Sequence, residues 1–229
     1  MTGTGLAYAL VAGIVPSLIW LFFWTREDDK QPEPRGLLAG CFLAGMLAVL
    51  IAIPLEQFAS GLTAEPALRY TLWAFVEEAL KFIVMAIVAI HSPHNDEPID
   101  AMVYLITVAL GFAALENTLF IMGPLANGNV VSSIVTGNMR FVGATLVHVV
   151  SSALIGFSLG LTFYRGKLAK FSTWIVAVAV AVTVHAAFNV AISNSSSWDA
   201  LRIFAWVWGA VVIVIVLFEE VKAVRPRLV

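Results

Sequence analysis

The chain has 229 residues, of which 60% are hydrophobic and 12% charged, with a formal net charge of −2. That balance excludes a soluble domain, which carries about a quarter of its residues charged, and the charge is no footprint for nucleic acid. The single cysteine, Cys41, lies in an apolar run and excludes both a disulfide framework and a cysteine-only metal site.

Seven apolar runs follow in chain order, at roughly 5–24, 37–55, 69–91, 100–123, 138–164, 171–193 and 200–219, each near the length of about 20 residues that a crossing takes. They predict an all-α bundle of about seven transmembrane helices, one integral membrane domain over 1–229. The first run has no basic residue before it and Arg26, Lys30 and Arg35 after it, the reverse of a cleavable signal, so it reads as a mature helix. Residues 56–68, with Glu56, Gln57, Glu65 and Pro66, read as an interfacial stretch. Breaks fall at Thr25–Pro34, at His91–Asp96, at Gly123-Pro124 to Gly128 and at Asn194–Ser197. Lys and Arg gather after the first run, around Arg165, Lys167 and Lys170, and in the tail at Lys222, Arg225 and Arg227. The opposite ends hold only Arg69, Arg140 and Arg202. The positive-inside rule then places the amino terminus outside and the carboxyl terminus in the cytoplasm, in a bacterial-type cell membrane.

Ionisable groups within the hydrocarbon cost at least about 2.5–3.5 kcal/mol each, so those retained point to function. They are Glu77, Glu78 and Lys81 in the third run, Glu116 in the fourth, His148 in the fifth and His185 in the sixth. Counted from the outer ends of their runs, Glu78 lies about nine residues deep, Glu116 about seven, His148 about ten and His185 about eight, within about a turn of one another. Four helices that place an acid or an imidazole at one level predict a shared water-filled cavity toward the outer face. Glu77 and Lys81, four apart, are expected to pair and leave Glu78 free to address the cavity. Asn189 shares a face with His185, Asn117 follows Glu116, and Ser151 and Ser152 flank His148. Arg140 stands near the cavity mouth, where it holds a carboxylate or snorkels to the interface.

Two chemistries suit this set. In one, Glu78 deprotonates a water that attacks a peptide carbonyl, and His185 with Asn189 stabilises the oxyanion, without a metal. In the other, Glu116, His148 and His185 hold zinc, with Glu78 as base. The local His-Glu-x-x-His zinc motif is absent.

Four segments carry a resemblance: Phe75-Val76-Glu77-Glu78-Ala79-Leu80-Lys81, Gly111-Phe112-Ala113-Ala114-Leu115-Glu116-Asn117, Arg140 through His148, and His185-Ala186-Ala187-Phe188-Asn189. In order and spacing they are similar to the motifs of the PrsW family of intramembrane proteases, a branch of the group that includes the type II CAAX prenyl endopeptidases and bacteriocin-immunity proteases. The matching core covers about 70–192. The resemblance implies cleavage of a membrane-protein substrate at or near the membrane surface; the family's namesake acts on an anti-sigma factor from the outer side. Glutamate at 116, where the CAAX enzymes have histidine, and the offset of Lys81 argue against prenyl-protein cleavage.

Rival readings are a haem protein with His148 and His185 as axial ligands, a proton-coupled transporter and a retinal protein using Lys81. The haem reading leaves the glutamates unused, and the transporter reading lacks repeated halves. His91 and His94 read as solvated residues at the far end. Gly36-x-x-x-Gly40 and Gly156-x-x-x-Gly160 have the spacing for close helix packing. Trp20, Trp24, Trp73, Trp174, Trp198, Trp206 and Trp208 read as interface anchors. The partners expected are thus a membrane-protein substrate and the bilayer.

Overall fold

The computed structural model describes residues 3–28, 31–195 and 197–226, with the side chains of Ser197 and Trp198 outside the description. Lys30 and Arg227, and Trp198 as an anchor, therefore lie outside the described residues. The described chain is helical and holds no strand: α1 Gly3–Trp24 with a 3-10 turn Thr25–Asp28, α2 Arg35–Leu62, α3 Pro66–Val88, α4 Asp100–Ala126, α5 Val130–Met139, a π turn Arg140–Ala144, α6 Thr145–Leu161, α7 Lys167–Ser193 and α8 Ser197–Lys222. The α5 helix, the π turn and α6 form one continuous rod, Val130–Leu161.

Among the described residues, six rods are long and apolar enough to cross a membrane. The seventh, α3, has 23 residues, about 34 Å at 1.5 Å per residue, but its buried charges lower its apolarity. It packs alongside α2 and α7. The protein is a multi-pass integral membrane protein.

Residue character explains the layering. From Asp100 to Ala114 the α4 helix is buried without a break, and α1, α2 and α6 pack around it. A helix apolar on all sides can be covered on all sides. Outer helices show lipid the reverse pattern, exposing Val11, Ile19 and Phe22 on α1 and Leu43, Leu47 and Leu50 on α2. Hydrocarbon solvates such faces, so closeness between helices comes from small residues. A Cβ on Gly45 would lie 2.1 Å from the Val108 carbonyl oxygen, and one on Gly111 would lie 1.9 Å from that of Phe42. The two glycines let the α2 and α4 backbones touch. Gly156 and Gly160 do the same for α6, against Met102 and Pro98, whereas Gly36 meets open space.

Several boundaries differ from the sequence expectation. The α2 helix runs through Glu56 to Leu62, so the supposed interfacial stretch is instead two helix ends joined by a short turn. There Pro66 occupies the first helical turn of α3, and the Glu65 side chain accepts from Ala67 N at 3.3 Å. Pro124 sits inside the last turn of α4, and the chain reverses at Gly128, whose φ of 75° suits glycine. Asn129 caps α5 by accepting from Ser132 N at 2.9 Å. Trp24 is no interface anchor. It is 1% exposed and stacks on Phe218 of α8, ring centroids 5.5 Å apart. His91 and His94 are exposed, as expected.

Candidate active site

The groups singled out in the sequence converge. A cavity of about 750 Å³ is lined by Glu56 of α2, Glu77 of α3, Glu116 of α4, Arg140, His148 of α6, and His185 and Asn189 of α7. Tyr70, Trp73, Phe112 and Phe188 supply apolar wall. The lining comes from where α2, α4 and α7 end and α3, the α5–α6 rod and α8 begin, which is one end of the bundle.

The two adjacent glutamates have exchanged the places expected of them. Ala74, Glu78, Lys81 and Met85, spaced four, three and four apart, form the inward stripe of α3, none more than 1% exposed. Glu78 therefore points into packing. Lys81 Nζ donates to its Oε1 at 2.7 Å, Ser151 Oγ donates to Oε1 at 2.8 Å and Ser152 Oγ to Oε2 at 3.0 Å. The expected Glu77–Lys81 pair is the longer contact, at 3.5 Å. A lysine that is three residues from one acid and four from the other can reach both, and the serines of α6 decide in favour of Glu78. It is Glu77 that lines the cavity, and its Oε2 is buried with no hydrogen-bond partner among the described residues.

Carboxylates orient both imidazoles. His185 Nδ1 lies 2.8 Å from Glu78 Oε1, so it carries the proton and leaves the Nε2 lone pair facing Glu77 Oε2 at 3.8 Å. His148 Nε2 donates to Glu116 Oε2 at 2.8 Å, and its Nδ1 accepts from Lys81 Nζ at 2.8 Å. Both nitrogens of His148 are thus engaged, while one nitrogen of His185 is open. The rings stand edge to face, centroids 4.9 Å apart, which leaves no plane for a macrocycle between them and removes the haem reading. Lys81, held by Glu78 and His148 and 4.7 Å from the Phe112 ring centroid, is likewise not a free amine for retinal.

Arg140 neither snorkels nor stands apart. Its Nη2 donates to Glu116 Oε2 and its Nε to Asn117 Oδ1, each at 2.5 Å, and Asn117 Nδ2 donates to Thr145 Oγ1 at 2.9 Å. Residues eight apart on an α-helix diverge by about 80°, yet Arg140 and His148 meet one carboxylate oxygen. The π turn at Arg140–Ala144 supplies the missing rotation, a role such turns often have at functional sites.

Sequence reasoning missed Glu56. The second apolar run fades at Leu55, but α2 continues to Leu62 and keeps Glu56 on the cavity wall.

The fit of a metal ion can be judged from the donors. Glu77, His148 and His185 offer ligand atoms within 4.8 Å of one another, a His₂Glu set. Glu116, expected in that set, is instead tied to Arg140 and His148. The Glu77 oxygen that lacks a hydrogen bond and the second nitrogen of His185 suit zinc by type and span, provided that the Lys81 ammonium withdraws from His148 Nδ1.

Known proteins resemble the chain over this same core. A family model described as PrsW family intramembrane metalloprotease matches residues 33–220. The chain is 31% identical over 166 residues to Protease PrsW of Geobacillus kaustophilus, covering 71% of this chain and 70% of that one. It is 25% identical over 206 residues to Protease PrsW of Bacillus subtilis, covering 86% and 90%. Against Protease PrsW of Halalkalibacterium halodurans it is 25% identical over 219 residues, covering 93% and 95%. No solved structure matches it. With two carboxylate-oriented imidazoles and a glutamate on a cavity inside an apolar bundle, and with a match of that extent, the chain belongs to the PrsW family of intramembrane proteases.

Proposed function

We propose that the chain hydrolyses a peptide bond of a membrane-protein substrate in this cavity, by water activated between Glu77 and His185. The observation that carries the reading is Glu77 Oε2, which has no hydrogen-bond partner among the described residues, with His185 Nε2 3.8 Å from it, both on residues that line the cavity. One water can donate a hydrogen to each. As its oxygen attacks the carbonyl carbon, Glu77 takes the proton and later delivers it to the leaving amine. Asn189, one turn beyond His185 on the same face, lines the cavity and supplies an amide donor to the oxyanion. Glu78 and Glu116 fix the tautomers of His185 and His148, and Lys81 and Arg140 pair with those acids. Glu78 is in this scheme a positioning residue, and Glu77 takes the role of base.

The cavity lies at the end of the bundle away from Arg165, Lys167, Lys170 and Lys222. With the positive-inside rule that end faces outward, so the cut falls toward the extracytoplasmic side. A single-pass membrane regulator, such as an anti-sigma factor, has the segment the cavity needs.

A zinc-dependent version is the second reading, favoured by the His₂Glu set. Bound there, zinc would polarise the carbonyl and lower the pKa of its water. The metal-free form is preferred because Lys81 already supplies the cation at His148 Nδ1.

The deciding experiment compares fragments of membrane proteins, by mass spectrometry, from cells expressing the native chain or Glu77→Gln. New chain ends found only with the native protein, unchanged when a reconstituted reaction contains a zinc chelator, support glutamate chemistry. Loss on chelation and recovery with Zn²⁺ turns the reading to the metal. Equal fragments with both chains, each inserted and abundant, overturn the mechanism.

A further inference from the structure

The end of the bundle opposite the cavity holds a second group of acids that proteolysis does not use. Asp28 closes the 3-10 turn after α1, Glu33 lies in the link to α2, and Asp100 opens α4. One oxygen from each lies within 4.8 Å of the others. Asp100 is 0% exposed and Asp28 is 4% exposed.

Their partners account for only part of this oxygen surface. Asp100 Oδ2 accepts from the backbone N–H groups of Asp96 at 2.8 Å and Glu97 at 2.6 Å. Glu33 accepts from the Tyr104 hydroxyl, which also reaches the His94 carbonyl at 3.2 Å. Asp28 Oδ2 and Asp100 Oδ1, on two different carboxyls, are sealed from solvent and meet no donor among the described residues. Among the described residues, no cation forms an ion pair with them. Lys222, which reaches this end of the bundle, donates to Glu27 at 2.8 Å and Glu219 at 2.7 Å. Three carboxyls brought together away from water oppose one another's ionised forms and forgo hydration. Two sealed oxygens without described donors, one from each of two helix ends, beside the Glu33 carboxyl of the link, are what a cation would find as ligands.

We propose that Asp28, Glu33 and Asp100 form a binding site for a hard divalent cation of the Mg²⁺, Ca²⁺ or Mn²⁺ type, distinct from the protease cavity. The set is oxygen-only, which selects such ions over zinc or copper. The ion ties the end of α1 and the link to α2 onto the first turn of α4, the helix that carries Glu116 at its other end. Because binding reaches only the folded chain, it stabilises the bundle.

The test uses the full-length chain carrying Glu77→Gln, in lipid nanodiscs after chelation, so that the cavity's own ligand set is broken. Mn²⁺ is titrated by electron paramagnetic resonance, and thermal unfolding is followed with and without Mg²⁺ or Ca²⁺. Expected are one saturable Mn²⁺ site, competed by Mg²⁺ or Ca²⁺, and a Tm raised by at least about 4 °C at saturation. Asp28→Asn with Asp100→Asn should lose both responses, yet unfold no lower in chelator than its parent, since the repulsion is gone. Glu33→Gln, which keeps the hydrogen-bonding shape, should weaken Mn²⁺ at least tenfold. Absence of saturable binding, binding that survives the double substitution, or a bundle stabilised by acid and indifferent to cations would each overturn the site.

Discussion

Glu77 and Glu78 are adjacent and chemically identical, yet their surroundings assign them opposite work. Glu78 has four partners and no exposure, whereas Glu77 lines the cavity and its Oε2 has no hydrogen-bond partner among the described residues. Glu77→Gln should lower turnover by at least about a hundredfold, the size of a lost general base, with thermal stability unchanged. Glu78→Gln removes the partner of a buried ammonium and should cost about 3 kcal/mol of stability as well as activity, as read from unfolding in detergent. If the first variant unfolds early and the second stays stable and inactive, the two roles are reversed. The motif itself was legible in the sequence, as were His148, His185 and Asn189. Which glutamate faced the cavity was not, because a stretch of two acids and a lysine at three- and four-residue spacing satisfies either pairing, and the tie is broken by Ser151 and Ser152, dozens of residues away.

Helices act here through backbone approach and local winding. Gly111→Ala would drive a methyl group into the Phe42 carbonyl of α2 and should destabilise the bundle by about 1–3 kcal/mol. Gly36→Ala, in open space, serves as the neutral control in the same unfolding measurement. The π turn offers a sharper case. Deleting Val142 should restore plain α-helical winding and turn Arg140 away from Glu116, so activity falls while the chain still inserts. Undiminished cleavage by the deletion would show that the Arg140–Glu116 pair is not needed. No hydropathy pattern announces a π turn, since one extra residue in a wide turn leaves composition and run length almost unchanged. The continuation of α2 past Leu55 was hidden for a related reason. Glu56, Gln57 and Ser60 look like an ending, but inside the bundle Trp73 Nε1 donates to the Glu56 carbonyl and to Ser60 Oγ, each at 3.0 Å.

The described residues present two polar centres at opposite ends of an apolar body, with α4 running between them. Its orientation follows from the distribution of Lys and Arg and is open to a direct test. With Cys41 replaced by serine, a cysteine at Gly128 should react with a membrane-impermeant thiol reagent applied from outside, and one at Gly166 should react only after permeabilisation. The opposite pattern would invert the topology and move cleavage to the cytoplasmic face.

Composition and run length by themselves determined that this is a helical membrane protein, because a bilayer demands long apolar segments whatever their packing. Depth along those runs also determined that acids and imidazoles share a level, since helical rise is fixed. Tertiary structure decided the rest: which oxygen is left open, which nitrogen carries a proton, how Arg140 and His148 come to one carboxylate, and that Asp28, Glu33 and Asp100 meet at all. Those outcomes depend on the rotation and approach of helices distant in sequence, and rotation in a bundle is set by the neighbours that each face meets.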